Sequence, residues 1–200
     1  NDATATEVRL DGSIIQKANK KALIYPHQQY KANPATFYNR YTFGLQPDGG
    51  DAIHVGEDSG YFMAGLPVHA IGPGVVTNIV YEDSWGFWVA IQHHLQQSGT
   101  VTSFYGHLSR YIDVEVGQVA ATGAKIGEIG PQESVENGGY KAHVHWGIAR
   151  SGYTSAVFAG YANDRALWHN PIALLEGRTI PADSTLPNSS LLNASKNREA

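Results

Sequence analysis

From Arg40 onward the chain is a succession of short β-branched and aromatic runs, cut by clusters of glycine, proline and aspartate. This rhythm limits the fold more than any other feature. Pro67–Ile71, Gly74–Tyr81, Gly86–Gln92 and Val101–Tyr105 each have the length and composition of one strand, and Ile112–Val116, Lys125–Ile129 and His143–Ala149 continue the series. Many short strands at close spacing predict an all-β domain, a sandwich or a barrel. Long amphipathic helices are absent. The best helical stretch is Asp164–Glu176, with Pro171 suited to start its last part. Pro131–Ala142 is polar, with two acids and a glycine pair, and is expected to be a loop.

These runs divide the chain into three parts. Residues 1–39 are polar and mixed and are expected to form an N-terminal extension. Residues 40–177 carry the β-pattern, and 178–200 form a tail rich in serine, asparagine and proline. The total of 200 residues suffices for one domain with extensions. The net charge is −4, with no basic run, which argues against a nucleic-acid partner. No apolar run approaches the roughly 20 residues of a membrane helix. The chain opens on Asn1 rather than Met, as expected if a leader has been removed by processing or cloning. The sequence carries no sign of oligomeric state.

Cysteine is absent, so any metal site must use histidine and carboxylate. Nine histidines are available, and two groupings stand out. His54 and Asp58 lie in His54-Val-Gly-Glu-Asp58, with Gly56 allowing a tight turn between two good zinc ligands. His143 and His145 lie two apart in a strand-like run, so both point to one face while Val144 and Trp146 point to the other. Two imidazoles on one face suit a metal site, or one ligand beside one acid–base group. Three protein ligands leave a position on tetrahedral zinc for water. His107 follows an apolar strand beside Gly106, well placed to reach into a cleft.

With these motifs in order, the chain resembles the lysostaphin-type (LytM-like) zinc metallopeptidase family. That family reads His-x-x-x-Asp, then Tyr-x-His after a strand, then His-x-His. Here these are His54-Val-Gly-Glu-Asp58, Tyr105-Gly-His107 and His143-Val-His145. Gly65–Val76 resembles the family's strand–turn–strand, and Val116–Gly127 its glycine-rich segment. Arg40–Gly44 and Trp168–Pro171 match the lead-in and the close, so the resemblance covers roughly residues 40–177.

The resemblance implies antiparallel β-sheets forming a sandwich with an open groove. It implies Zn2+ held by His54, Asp58 and His145, with His107 and His143 as catalytic non-ligands. Tyr105 is a candidate substrate contact, although packing competes with that role. The implied reaction is hydrolysis of peptide bonds in peptidoglycan, outside the cytoplasmic membrane, at a stem cross-link or a bridge. The stretch Pro131–Ala142 departs from the family by being longer and acidic, which favours a neutral or cationic peptide if its charges face the groove. Glu57 is expected to point away from the metal.

Two other functions fit parts of the chain. A catalytically silent or latent family member would bind the wall or activate other wall hydrolases, with residues 1–39 covering the groove. A carrier module would use the glycine rhythm of Val116–Gly127, but Lys125 sits inside a strand-like run rather than at a turn.

Overall fold

The structure, a computed structural model, describes residues 4–10, 13–27, 30, 41–46, 51–95, 98–150 and 160–177, of which 4–10 and 13–22 are described as backbone only. The tail expected over 178–200 lies outside the described residues. Strands β1 (Thr4–Leu10) and β2 (Ser13–Ala22) open the chain. β3 (Ile53–His54), β4 (Gly56–Ser59), β5 (Pro67–His69), β6 (Gly74–Glu82), β7 (Gly86–Leu95) and β8 (Gly99–Leu108) follow. Then come β9 (Val119–Ala120), β10 (Lys125–Glu128), β11 (Val144–Arg150), β12 (Tyr161–Ala162), β13 (Trp168–His169) and the helix α1 (Pro171–Leu175).

The main sheet runs β13-β11-β8-β7-β1-β2, with β4 also on β11, β6 on β7 and β9 on β6. Every strand pairing among the described residues is antiparallel. The described residues are thus mostly antiparallel β-sheet with one short α-helix, as the strand rhythm and the resemblance predict.

Period-two alternation explains why the central strands are apolar on both faces. Val89, Ile91 and Leu95 of β7, Val101 and Tyr105 of β8, and Val144, Trp146 and Ile148 of β11 enter one core. Ile126, Ile129 and the helix residues Leu174 and Leu175 close that core. Trp88, Ala90, Phe104 and Ala149 face the other way, onto Phe43, Ile53, Val55, Trp85 and Trp168. The central sheet is therefore the middle of a packed structure, and the site forms at one end of its second face.

Two expectations are corrected. Ile112–Val116 is not a strand: Ile112 and Val114 pack on the core while the backbone turns, and Val116 is exposed. Asp164–Glu176 is not one helix. A 3-10 turn (Arg165–Leu167) and β13 precede α1, which starts at Pro171 with the Asn170 side chain accepting from the Ala173 N–H. Part of the expected N-terminal extension packs on the strands that follow it. Leu23 is in the main core, Ile24 N–H donates to Ile71 O, and Tyr25 and Tyr30 pack on Trp146. The β1–β2 hairpin pairs with β7 at His94 and Leu95, the end of that strand remote from Gly86.

One buried polar chain crosses the core. The His93 Nδ1–H donates to Pro73 O at 2.9 Å, and its Nε2 lies 2.7 Å from the Ser103 hydroxyl. Ser103 and Tyr105 hydroxyls are 3.1 Å apart, and Ile71 N–H donates to the Tyr105 oxygen at 3.0 Å. Burial pushes the His93 imidazole down to about 4, against the opposing bond to Pro73. The unfolded chain, with an ordinary histidine near 6.5, binds the proton more readily. This histidine's contribution is therefore full above about pH 6.5, is lost as pH falls towards 4, and is constant below that. At about 1.4 kcal/mol per pKa unit the loss is roughly 3 kcal/mol. Urea unfolding in chelator at pH 7 and pH 4.5 should show a smaller acid loss for His93→Gln than for the parent chain. Equal losses would contradict the assignment.

Candidate metal centre

The register of β11 builds the site. His145 stands directly opposite Asp58 on β4 and opposite Gly106 on β8. Gly56 does not serve as a turn. It lies in β4, and a Cβ there would sit 2.4 Å from His145 Nε2. A Cβ at Gly160 would sit 2.8 Å from the same ring on its Cε1. The imidazole of His145 thus occupies a slot that a side chain at either glycine would fill.

His54 enters from β3. Its backbone is paired with Leu45 and Gly44, and its Nδ1 lies 3.3 Å from Thr42 O. A carbonyl only accepts, so Nδ1 carries the hydrogen and Nε2 presents its lone pair. His54 Nε2, His145 Nδ1 and Asp58 Oδ1 form a triangle with sides of 3.0, 2.9 and 3.2 Å. All three residues are buried. Three electron-pair donors held this close call for a shared proton or a cation between them. Ligands about 2.0–2.1 Å from a tetrahedral zinc stand about 3.3 Å apart, close to this spacing. The donor set therefore fits zinc.

The charge of Asp58 organises the triangle. Burial would raise the Asp58 carboxyl, but the His145 and His54 imidazoles beside it hold it well below the usual carboxylate range. Burial pushes His145 down to about 4, so its imidazole is neutral near pH 7. Burial alone would lower His54, yet the hydrogen bond and charge of Asp58 pull it up. Asp58 Oδ2 is 3.3 Å from the Tyr61 hydroxyl, which donates to it, and 3.6 Å from His143 Nε2.

His143 and His107 sit beside the triangle, with ring centroids 4.5 Å apart. His143 stacks on Tyr61 at 4.8 Å, and its Nδ1–H donates to Lys141 O at 2.6 Å. His107 breaks the alternation of β8. In a regular strand it would follow Ser103 and Tyr105 towards the main core. Its left-handed backbone, φ 61°, instead brings its ring to within 5.5 Å of Trp85 and 6.3 Å of His145. Such a conformation costs about 1–3 kcal/mol in a non-glycine residue and marks a site worth inspecting.

The structure brings His54, Asp58, His107, His143 and His145 to one cavity of about 260 Å3. Tyr105 is not among its lining residues. It is fully buried, with its hydroxyl bonded to Ser103 and Ile71, so a substrate contact there is corrected to a core role. Glu57 points away as expected, accepting from Phe43 N–H, and burial pushes it up to about 7. Lys125 opens β10 and pairs with Glu128 of that strand and with Asp113 rather than standing at the tip of a turn, which disfavours the carrier function.

Tyr41, Tyr61, Tyr140, Lys141 and Tyr161 complete the lining. Tyr140 and Lys141 lie in the loop already marked as bordering the groove. Tyr161 reaches the site only through the pairing of β12 with His54, which no local pattern signals. The loop's acids do not face the groove unpaired: Glu133 pairs with Lys141 and Glu136 with Arg110. The expected bias against carboxylate-rich peptides therefore loses its ground.

The family profile described as peptidase family M23 matches residues 52–157. No curated protein is matched at a significant level. Among solved structures, cbpa from L. salivarius REN is 25% identical over 78% of this chain and 95% of that one, with a TM-score of 0.57. The catalytic domain of the antimicrobial peptidase lysostaphin from Staphylococcus simulans is 24% identical over 68% and 90%, with a TM-score of 0.50, and bears on the fold alone. A zinc-containing peptidase from Vibrio cholerae is 25% identical over 64% of this chain, with a TM-score of 0.45. This chain spans only 36% of that protein.

Proposed function

Because the chain belongs to peptidase family M23, we propose that it is a zinc-dependent endopeptidase that hydrolyses peptide bonds of peptidoglycan outside the cytoplasmic membrane. The observation that carries this reading is the triangle of His54, Asp58 and His145 with two further imidazoles on the same cavity. When bound there, zinc would supply Lewis acidity and lower the pKa of water from 15.7 towards about 7.

The chain's own residues supply the rest. His54 would hold the metal through Nε2 and His145 through Nδ1, beside the Asp58 charge that stays on at neutral pH. His107 and His143 each spend Nδ1–H on a backbone carbonyl, so each offers Nε2 to the cavity. Burial and the neighbouring His143 and His145 hold His107 well below an ordinary histidine, so it starts neutral, as a proton acceptor. One imidazole takes the proton of the attacking water. The imidazolium so formed is the Nε2–H donor for the oxygen of the tetrahedral intermediate, and its proton then passes to the leaving amine as the C–N bond breaks. No glutamate of a His-Glu-x-x-His motif is present to share this work.

Mass spectrometry of muropeptides tests the proposal. Zinc-loaded protein is incubated with purified peptidoglycans that carry either Gly–Gly bridges or direct D-alanine cross-links. New amine and carboxyl ends at one bond type are expected. Intact polymer in both cases, with zinc bound, would reject the enzyme and favour the regulatory function.

A further inference from the structure

The loop that departs from the family pattern holds both non-ligand histidines. We propose that Asn137, buried within that loop, is a positioning residue that sets the tautomer and orientation of His107 and His143; this rests on the peptidase function above only for its effect on turnover. His107 Nδ1 lies 3.1 Å from Trp85 O and 3.1 Å from Asn137 O. Both oxygens accept only, so Nδ1 carries the hydrogen, shared between two carbonyls, and Nε2 is left for the cavity. His143 Nδ1 is held in the same state by Lys141 O, from the same loop.

Asn137 fixes this arrangement from inside. It is fully buried, on a 3-10 turn (Val135–Asn137). Its Nδ2 donates to Tyr140 O at 2.8 Å, and its Oδ1 accepts from Gly139 N–H at 3.1 Å. The side chain thereby ties residues 137–140 into one ring, which aims Asn137 O at His107. It also holds the Tyr140 carbonyl one residue before Lys141, whose own carbonyl faces His143.

The second carbonyl depends on the same loop. A Cβ at Gly86 would lie 2.2 Å from Glu136 O, and one at Gly138 would lie 2.8 Å from the Trp85 carbonyl carbon. The 85–86 turn and the 136–138 turn therefore meet backbone to backbone. A shift of one displaces the carbonyl of the other, so both acceptors of His107 move together.

The test uses the full-length, zinc-loaded chain. Proton–nitrogen correlation spectra of the imidazole rings, assigned with His107→Ala and His143→Ala, report each tautomer without substrate. The parent chain should show both histidines with hydrogen on Nδ1. Asn137→Ala should move His107 towards the Nε2–H form and lower kcat by about 10-fold or more, part of the roughly 100-fold an acid–base group contributes. KM and zinc content should stay near the parent values. Asn137→Asp, of the same shape but unable to donate to Tyr140 O, should change His107 in the same direction, and it decides the matter if the alanine variant does not fold. An unchanged His107 tautomer in the folded variants, whatever happens to kcat, would overturn the proposal. Tautomer changes in a chain that cleaves no peptide would leave it standing and reject the peptidase function instead.

Discussion

His145→Ala should leave the protein nearly free of zinc, against about one ion per parent chain measured by elemental analysis after zinc addition and desalting. His145 Nδ1 is one corner of the donor triangle, 3.0 Å from His54 Nε2 and 2.9 Å from Asp58 Oδ1. Its removal leaves two donors and opens the slot between Gly56 and Gly160. Changes in residues that merely orient a ligand cost about 10- to 100-fold in metal affinity, so loss of a ligand should exceed about 100-fold. Peptide hydrolysis should fall to background with it. A variant that keeps a full equivalent of zinc would show that the metal is bound elsewhere.

The next largest effect separates ligation from proton transfer. His143→Ala and His107→Ala should each keep zinc yet lose turnover by roughly 100-fold or more, the scale of a general acid–base group. The geometry explains the division. His143 reaches Asp58 only through Oδ2 at 3.6 Å, outside the triangle, and its other nitrogen is spent on Lys141 O. His107 makes no bond to the triangle at all and is anchored by Trp85 O and Asn137 O. Zinc content and kcat measured on the same preparations check this. If His143→Ala came out metal-free, the two histidines of the His-Val-His run would have exchanged roles.

Together these variants define what the surrounding residues are for. Tyr61 donates to Asp58 and stacks on His143, so it touches both halves of the site. Tyr140 covers His107, with ring centroids 4.4 Å apart. The groove wall is thus phenolic and close to charge-balanced, since Lys141 is paired with Glu133. It therefore gives no electrostatic reason to exclude an acidic peptide.

The sequence by itself determined the strand rhythm, the order of the histidine motifs and the shared face of His143 and His145. Each is local. Alternation sends Val144 and Trp146 to the core whenever that run is a strand, and the missing cysteines leave only imidazole and carboxylate as ligands. Long-range pairing was not legible, because it depends on register between segments far apart in the chain. Register places Asp58 against His145, brings Tyr161 beside His54, and makes Gly56 a clearance for an imidazole rather than a turn. Tyr105 and His107 show the limit most clearly. They lie two residues apart in one strand and share a face by periodicity, yet Tyr105 is locked into the core by Ser103 and Ile71. Only the left-handed backbone at His107, held by two carbonyls from distant turns, carries its ring to the site. No pattern of side-chain types encodes that choice, because the backbone contacts of the folded chain make it.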